Sequence, residues 1–135
     1  MLATRNRLRT AADFSTTVRS GVRNGRRNVV LYAAAIAADE PSRIGFIVSK
    51  SVGNAVVRNL VKRRLREAGA ASLRVHGTGL AIVVRALPAS ASASWDQLLS
   101  DYNNALDSTL ARLASRNRAA AAGSAGTTQE GTPRA

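Results

Sequence analysis

The chain has no cysteine, only two lysines, and aromatic side chains at 4% of its 135 residues. Without cysteine, disulfide staples, thiolate zinc sites and cysteine nucleophiles are excluded. The 45% hydrophobic content, much of it alanine, allows one small core and argues against two domains or a large self-contained enzyme. No apolar run approaches the roughly 18 to 20 residues that span a bilayer. The opening MLATRNRLRT is charged but leads into no apolar stretch, unlike a secretory signal, so a cytoplasmic protein without membrane partners is expected. Acids are also scarce: 8 Asp plus Glu face 20 Lys plus Arg, leaving a formal charge of +12. Such an excess repels itself, which points to a polyanionic partner.

Catalytic machinery is not evident either. Phosphodiester hydrolysis by a protein needs clustered carboxylates holding Mg²⁺, or histidines to move protons. Asp39 and Glu40 share a turn, whereas Asp13, Glu67, Asp96, Asp101 and Asp107 are scattered over three helical segments. They read as caps and solubilising charges. His76, the single histidine, reads as a surface residue, and Gly77-Thr78-Gly79 lacks the Lys and hydroxyl of a phosphate loop. No catalytic residue and no protein-held metal are expected.

The chain opens with a basic arm carrying Arg5, Arg7 and Arg9. Thr10 and Asp13 have capping-box spacing, and Phe14 and Val18 share one face of a first helix over about 10–20. GVRNGRRN reads as a loop. NVVLYAAAIA and RIGFIVS read as strands joined in a hairpin by the turn residues Asp39-Glu40-Pro41-Ser42. A helix follows, capped by Asn54 and ending at Gly69. ASLRVHGTG reads as a loop, LAIVVR as a strand, and Ser94 with Gln97 caps a last amphipathic helix that starts at Trp95, with Trp95 packing on the core. From Ala119 no large apolar residue recurs, so the tail over 119–135 is expected to be disordered, leaving one folded domain over 1–118. The element order predicts an α+β fold, a small single-domain sandwich.

The helix after Asn54 carries the most information. At 100° per residue Val57, Leu60, Val61, Leu65 and Ala68 fall on one arc, and Arg58, Asn59, Lys62, Arg63 and Arg66 on the other. Like charges at i and i+4 cost a few tenths of a kcal/mol per pair, so the stack Arg58, Lys62, Arg66 gains nothing unless an anion relieves it. Guanidinium forks suit RNA backbone phosphate. No helix-turn-helix precedes this helix, which disfavours duplex DNA. A sheet beside a basic helix suits single strands or irregular RNA, with Phe14, Tyr32 and Phe46 as surfaces for base stacking that could equally belong to the core.

The segment GNAVVRNLVKRRLRE closely resembles the signature of the bacterial ribonuclease P protein family, with Arg58, Asn59, Lys62, Arg63 and Arg66 at the motif positions. The likeness extends to RNRLRTAADF, to Val30-Leu31-Tyr32 and to GFIVSKSVGN, with departures at Val18, where the family usually has an aromatic, and at Ser51, where a lysine is common. The resemblance implies a mainly antiparallel sheet with helices packed on it and a left-handed strand-helix-strand crossover around the motif helix. It implies an accessory subunit of an endoribonuclease that removes the 5′ leader of precursor tRNA, with the chemistry and its Mg²⁺ belonging to a catalytic RNA. The motif helix would face that RNA, and Phe14, Val18 and Tyr32 would line a cleft for the single-stranded leader. Arg5, Arg7, Arg9, Arg19 and Lys50 would add positive potential, and the subunit would act as a monomer in the holoenzyme. A non-catalytic RNA-binding protein, such as a ribosomal protein or an RNA chaperone, is the alternative.

Overall fold

Side chains at the caps set where the helices begin. In the computed structural model, which describes residues 3–126, Thr10 Oγ1 accepts from Asp13 N at 3.0 Å and opens α1 (Ala11–Ser20). Asn54 Oδ1 accepts from Val57 N at 3.0 Å and opens α2 (Ala55–Val75). Ser94 and Gln97 satisfy each other's backbone N–H reciprocally, at 2.9 and 3.1 Å, and open α3 (Trp95–Gly126).

Four strands form one sheet: β1 (Val22–Gly25), β2 (Val29–Ala35), β3 (Arg43–Ile47) and β4 (Leu80–Ala86), in the order β1-β2-β4-β3. β2 runs antiparallel to both β1 and β4, while β3 and β4 are parallel, so β3-α2-β4 is a crossover unit. The fold is α+β with a mostly antiparallel sheet. The expected hairpin between β2 and β3 is not formed, because β4 lies between them. The linker after β2 pairs instead with the lead-in to β4, through Ile36 N to Gly79 O, Gly79 N to Glu40 O and Ser42 N to Gly77 O. A local turn signal does not specify how many strands separate its two arms. The near-continuous apolar run in β4 is the mark of a central strand, buried on both faces.

Alternation along the strands sorts the side chains onto two faces. Val29, Leu31 and Ala33 of β2, Ile82 and Val84 of β4 and Ile44 of β3 meet α2 and α3 in the core, where Val61, Leu65, Leu98, Tyr102 and Leu106 are buried and Trp95 packs against them. α1 covers the opposite face, with the Phe14 ring so close over Gly45 that any Cβ there would overlap it. The same alternation turns Phe46 toward α2, into the core and away from any stacking surface.

Other expectations are corrected. GVRNGRRN contains β1, too short to show a period yet fixed by its register with β2 from Val22↔Ala33 to Gly25↔Val30. Gly69 does not end α2, which continues to Val75 through residues read as a loop. It is a contact point: a Cβ there would lie 3.0 Å from Phe46 Cζ and 3.1 Å from Ile44 Cδ1, so glycine lets the helix settle onto β3. The basic arm is not free, because Leu8 N donates to Ile44 O at 3.1 Å and Asn6 Nδ2 to Ser42 O at 2.8 Å, covering the edge of β3. α3 continues past 118 to Gly126, and the rest of the tail expected to be disordered lies outside the described residues.

Tyr102 joins the two core helices. Ser72 Oγ donates to Gly69 O at 2.9 Å, so its single proton is used and Tyr102 O–H is the donor in the 2.8 Å bond between the two hydroxyls. Burial pushes the Tyr102 phenol up to about 12 from its ordinary 10.0. The folded state therefore favours the neutral phenol: its stabilisation is complete below pH 10 and is lost as pH rises toward 12. Urea unfolding should show the wild type losing stability over that window. Tyr102→Phe should cost about 1 kcal/mol at neutral pH and should lack this component of the alkaline decline.

Candidate nucleic-acid interface

The basic motif lies on α2, whose Val61, Leu65, Ala68 and Gly69 point inward. Helical geometry sets Lys62 and Arg66 beside that strip, on the flank that Gly69 presents to β3. Asn59, Arg63 and Arg66 are exposed and Lys62 is half-buried. Among the described residues, no hydrogen bond or ion pair within the chain engages the side chains of Asn59, Lys62, Arg63 or Arg66. Arg64, the remaining cation of the motif, is used structurally: its Nη1 donates to Ala93 O at 3.2 Å and ties α2 to the segment ahead of α3.

Arg58 corrects the two-arc picture. It is half-buried, and its Nε is buried without a hydrogen-bond partner. The reason is angular: Arg58 sits only about 60° around the helix from Val61, so its stem packs near the core while its head leads into the Lys62 and Arg66 row. A buried N–H left unpaired costs about 1 to 3 kcal/mol. Leu60, in turn, is only half-buried.

On the opposite side of the sheet, Phe14 and Val18 of α1 and Tyr32 of β2 are each half-buried. Tyr32 lies in one cross-strand row with Arg23, Val83 and Gly45, the glycine beneath Phe14, so the three candidates share that face. The supporting cations divide. Arg5, Arg7 and Arg9 ride on the arm that borders β3, and Lys50 lies in the turn between β3 and α2. Arg19 does not join them; it ends α1 near β1.

The sequence reading missed two residues. Arg85 is exposed on β4, in the row Val30↔Arg85↔Ile47 beside Tyr32 and on the same face. A lone Arg closing an otherwise apolar strand was the available signal. Val56 is 78% exposed, and on the helical wheel it falls next to Arg63 rather than on the apolar arc. A cavity of about 570 Å³ bordered by Arg27, Asn28, Ser92, Asp96 and Ser100 opens at the start of α3, apart from both surfaces. Asp101 beside it is occupied, accepting from Asn28 N and Nδ2 at 3.0 and 2.8 Å. Among the described residues, no three His, Cys, Asp or Glu side chains converge as metal ligands, and no helix is long and apolar enough to cross a membrane.

A mixed sheet with a free row of cations on one flank and an aromatic patch with its own arginines on the other defines an RNA-binding α+β protein. The family model described as Ribonuclease P matches residues 2–110. Over 136 aligned positions the chain is 89% identical to the ribonuclease P protein component of Pseudarthrobacter chlorophenolicus and 80% identical to that of Arthrobacter sp. FB24, covering all of each. Its fold matches the ribonuclease P protein of Staphylococcus aureus with a TM-score of 0.66 at 28% identity, over 76% of this chain and 93% of that one. The Thermotoga maritima protein matches with a TM-score of 0.64 at 26% identity, over 74% and 94%. The chain belongs to the bacterial ribonuclease P protein family, and its function is that of the protein component of this tRNA-processing endoribonuclease. Proteins of this family work with an RNA subunit on precursor tRNA. The ribosomal or chaperone alternative is not favoured.

Arg58→Met keeps the packed stem and removes the unpartnered donor. Urea unfolding should show stability unchanged or raised by up to about 1 kcal/mol, while binding to the RNA subunit weakens. A stability loss above that margin would show that the guanidinium is held by the protein itself.

Proposed function

We propose that Arg58, Asn59, Lys62, Arg63 and Arg66 bind the catalytic RNA, and that the α1 face of the sheet receives the 5′ leader. The observation that carries the first assignment is the set of α2 cations with no counter-ion in the described chain. Phosphate oxygens supply the negative charge that relieves the i, i+4 stack and acceptors for the guanidinium N–H groups that are not buried. Arg5, Arg7, Arg9 and Lys50 widen this field along the β3 edge.

The leader reading rests on Phe14, Val18 and Tyr32, amphipathic in arrangement and half-buried. Single-stranded bases stack on such side chains with little sequence preference, each for about 1 to 3 kcal/mol. Arg85 beside Tyr32 offers a phosphate contact to the same strand, and Val18 makes the weakest contribution of the three. The protein thereby positions the leader and screens phosphate repulsion, while the RNA performs the hydrolysis. The Mg²⁺ this chemistry needs belongs to RNA oxygens: among the described residues the carboxylates are dispersed, and Asp101 is committed to Asn28. The protein acts in the cytoplasm, as a monomer in the holoenzyme.

Reconstitution with the cognate catalytic RNA at low Mg²⁺ tests the reading: the protein should stimulate leader removal, and alone it should cleave nothing. Lys62→Glu with Arg66→Glu should weaken assembly and flatten its salt dependence by about one unit of slope per lost contact. An unchanged slope would exclude this flank of α2 as the RNA interface.

A further inference from the structure

The far edge of the sheet carries a second set of arginines that neither the motif nor the leader patch uses. α3 lies along β1 with a stripe at i+4 spacing: Arg26 Nη2 donates to Ser108 Oγ at 2.8 Å, Arg112 Nη1 donates to Arg23 O, and Arg116 Nη2 donates to Ser20 O at 2.6 Å. These bonds bring Arg112 and Arg116 round the β1 edge to the end of α1, where Arg19 is exposed. Arg23 is exposed as well, and its register partner is Tyr32, so its side chain rises on the leader face about 5 Å from Tyr32 at Cβ. Arg112 and Arg116 lie beyond the family match, which ends at residue 110. No acid occurs in α3 after Asp107.

Arg19, Arg23, Arg112 and Arg116 thus form one ridge continuous with the proposed leader patch. Each of the two α3 guanidinium groups donates one bond to a backbone carbonyl here, and a guanidinium has five N–H donors, so both retain capacity for an anion. Among the described residues no ion pair relieves their mutual repulsion, which negative charge from outside would do. α1 sets the direction. It starts over Gly45 of β3 and ends beside Ala33 of β2, so a strand lying along it leaves the sheet across β1. The distance from β3 to β1 is three inter-strand steps of about 4.8 Å, so a strand reaches the ridge only after crossing the whole sheet.

We infer that this ridge binds the phosphates of the distal part of a long 5′ leader, after it has passed Tyr32. The inference rests on the leader reading above. The test uses holoenzyme reconstituted with the cognate RNA and precursor tRNAs whose leaders are about 2 and about 16 nucleotides, the longer at the upper end of single-strand site sizes. The wild type should bind the long leader more tightly. Arg23→Gln with Arg116→Gln should bring the long-leader affinity down to that of the short one, leave the short-leader affinity unchanged, and lower the long-leader salt slope by about 1.4, at about 0.7 per single-strand contact. Lysine at both positions should preserve the wild-type advantage. If the Gln pair loses helical content, Arg23→Gln alone decides, with an expected slope loss of about 0.7.

Wild-type behaviour of the Gln pair overturns the inference. So does an equal loss for both leader lengths, which marks contact with the catalytic RNA or the tRNA body. Phe14→Ala and Tyr32→Ala serve as the separate control. If they weaken short-leader binding while the ridge variants change nothing, the ridge alone fails; if they leave it intact, the leader patch fails and takes the ridge with it.

Discussion

The settling of α2 onto β3 at Gly69 is the contact on which the rest depends. With no side chain at that point, the helix axis comes close enough for Ile44 and Phe46 to pack against the backbone of α2. The same contact fixes the rotation of the helix. Once Val61, Leu65 and Ala68 are committed to the core, Lys62 and Arg66 have one place to go, along the β3 flank where the amino-terminal arm also runs. A β3-α2-β4 unit with a wider gap could rotate, and its cations would not make a defined row. The packing of small apolar residues and the geometry of the charges are therefore one constraint.

What was legible in the sequence was local. Thr10, Asn54 and Ser94 with Gln97 announced three helix starts, and each cap forms. The motif of α2 was legible because its charges recur at helical spacing. The features that escaped are those decided by distant partners. β1 has one buried apolar residue, Val22, and exists because β2 and Arg112 of α3 engage it. Gly69 reads as a terminator by local preference, while its close neighbours sit on a strand more than twenty residues earlier. Arg58 reads as an outward cation by residue type, although the angle it shares with Val61 draws its stem inward. In each case tertiary packing overrode a sound local rule.

The charge distribution has a consequence for folding as well as for binding. A net +12 on a small core is destabilising through self-repulsion. Several arginines are also used as donors to backbone oxygen, as at Arg64, Arg112 and Arg116. These bonds do not neutralise charge; they orient it. The residual repulsion is what a polyanion relieves, so binding RNA also stabilises the fold through linkage.

Under the proposed RNA contact, Arg58 trades stability against binding within one side chain. A methionine of similar reach would pack its stem as well and leave no donor stranded. The donor would be a pure loss in the free protein, because its Nε is sealed from water without an acceptor in the chain. Retaining arginine there makes sense when the rest of the guanidinium is presented, already ordered, at the head of the Lys62 and Arg66 row. Holding the stem in the core removes most of the rotamer entropy that a flexible surface arginine would lose on binding. The cost is borne in folding, and under the proposed contact the gain comes when phosphate meets a guanidinium that no longer has to be positioned.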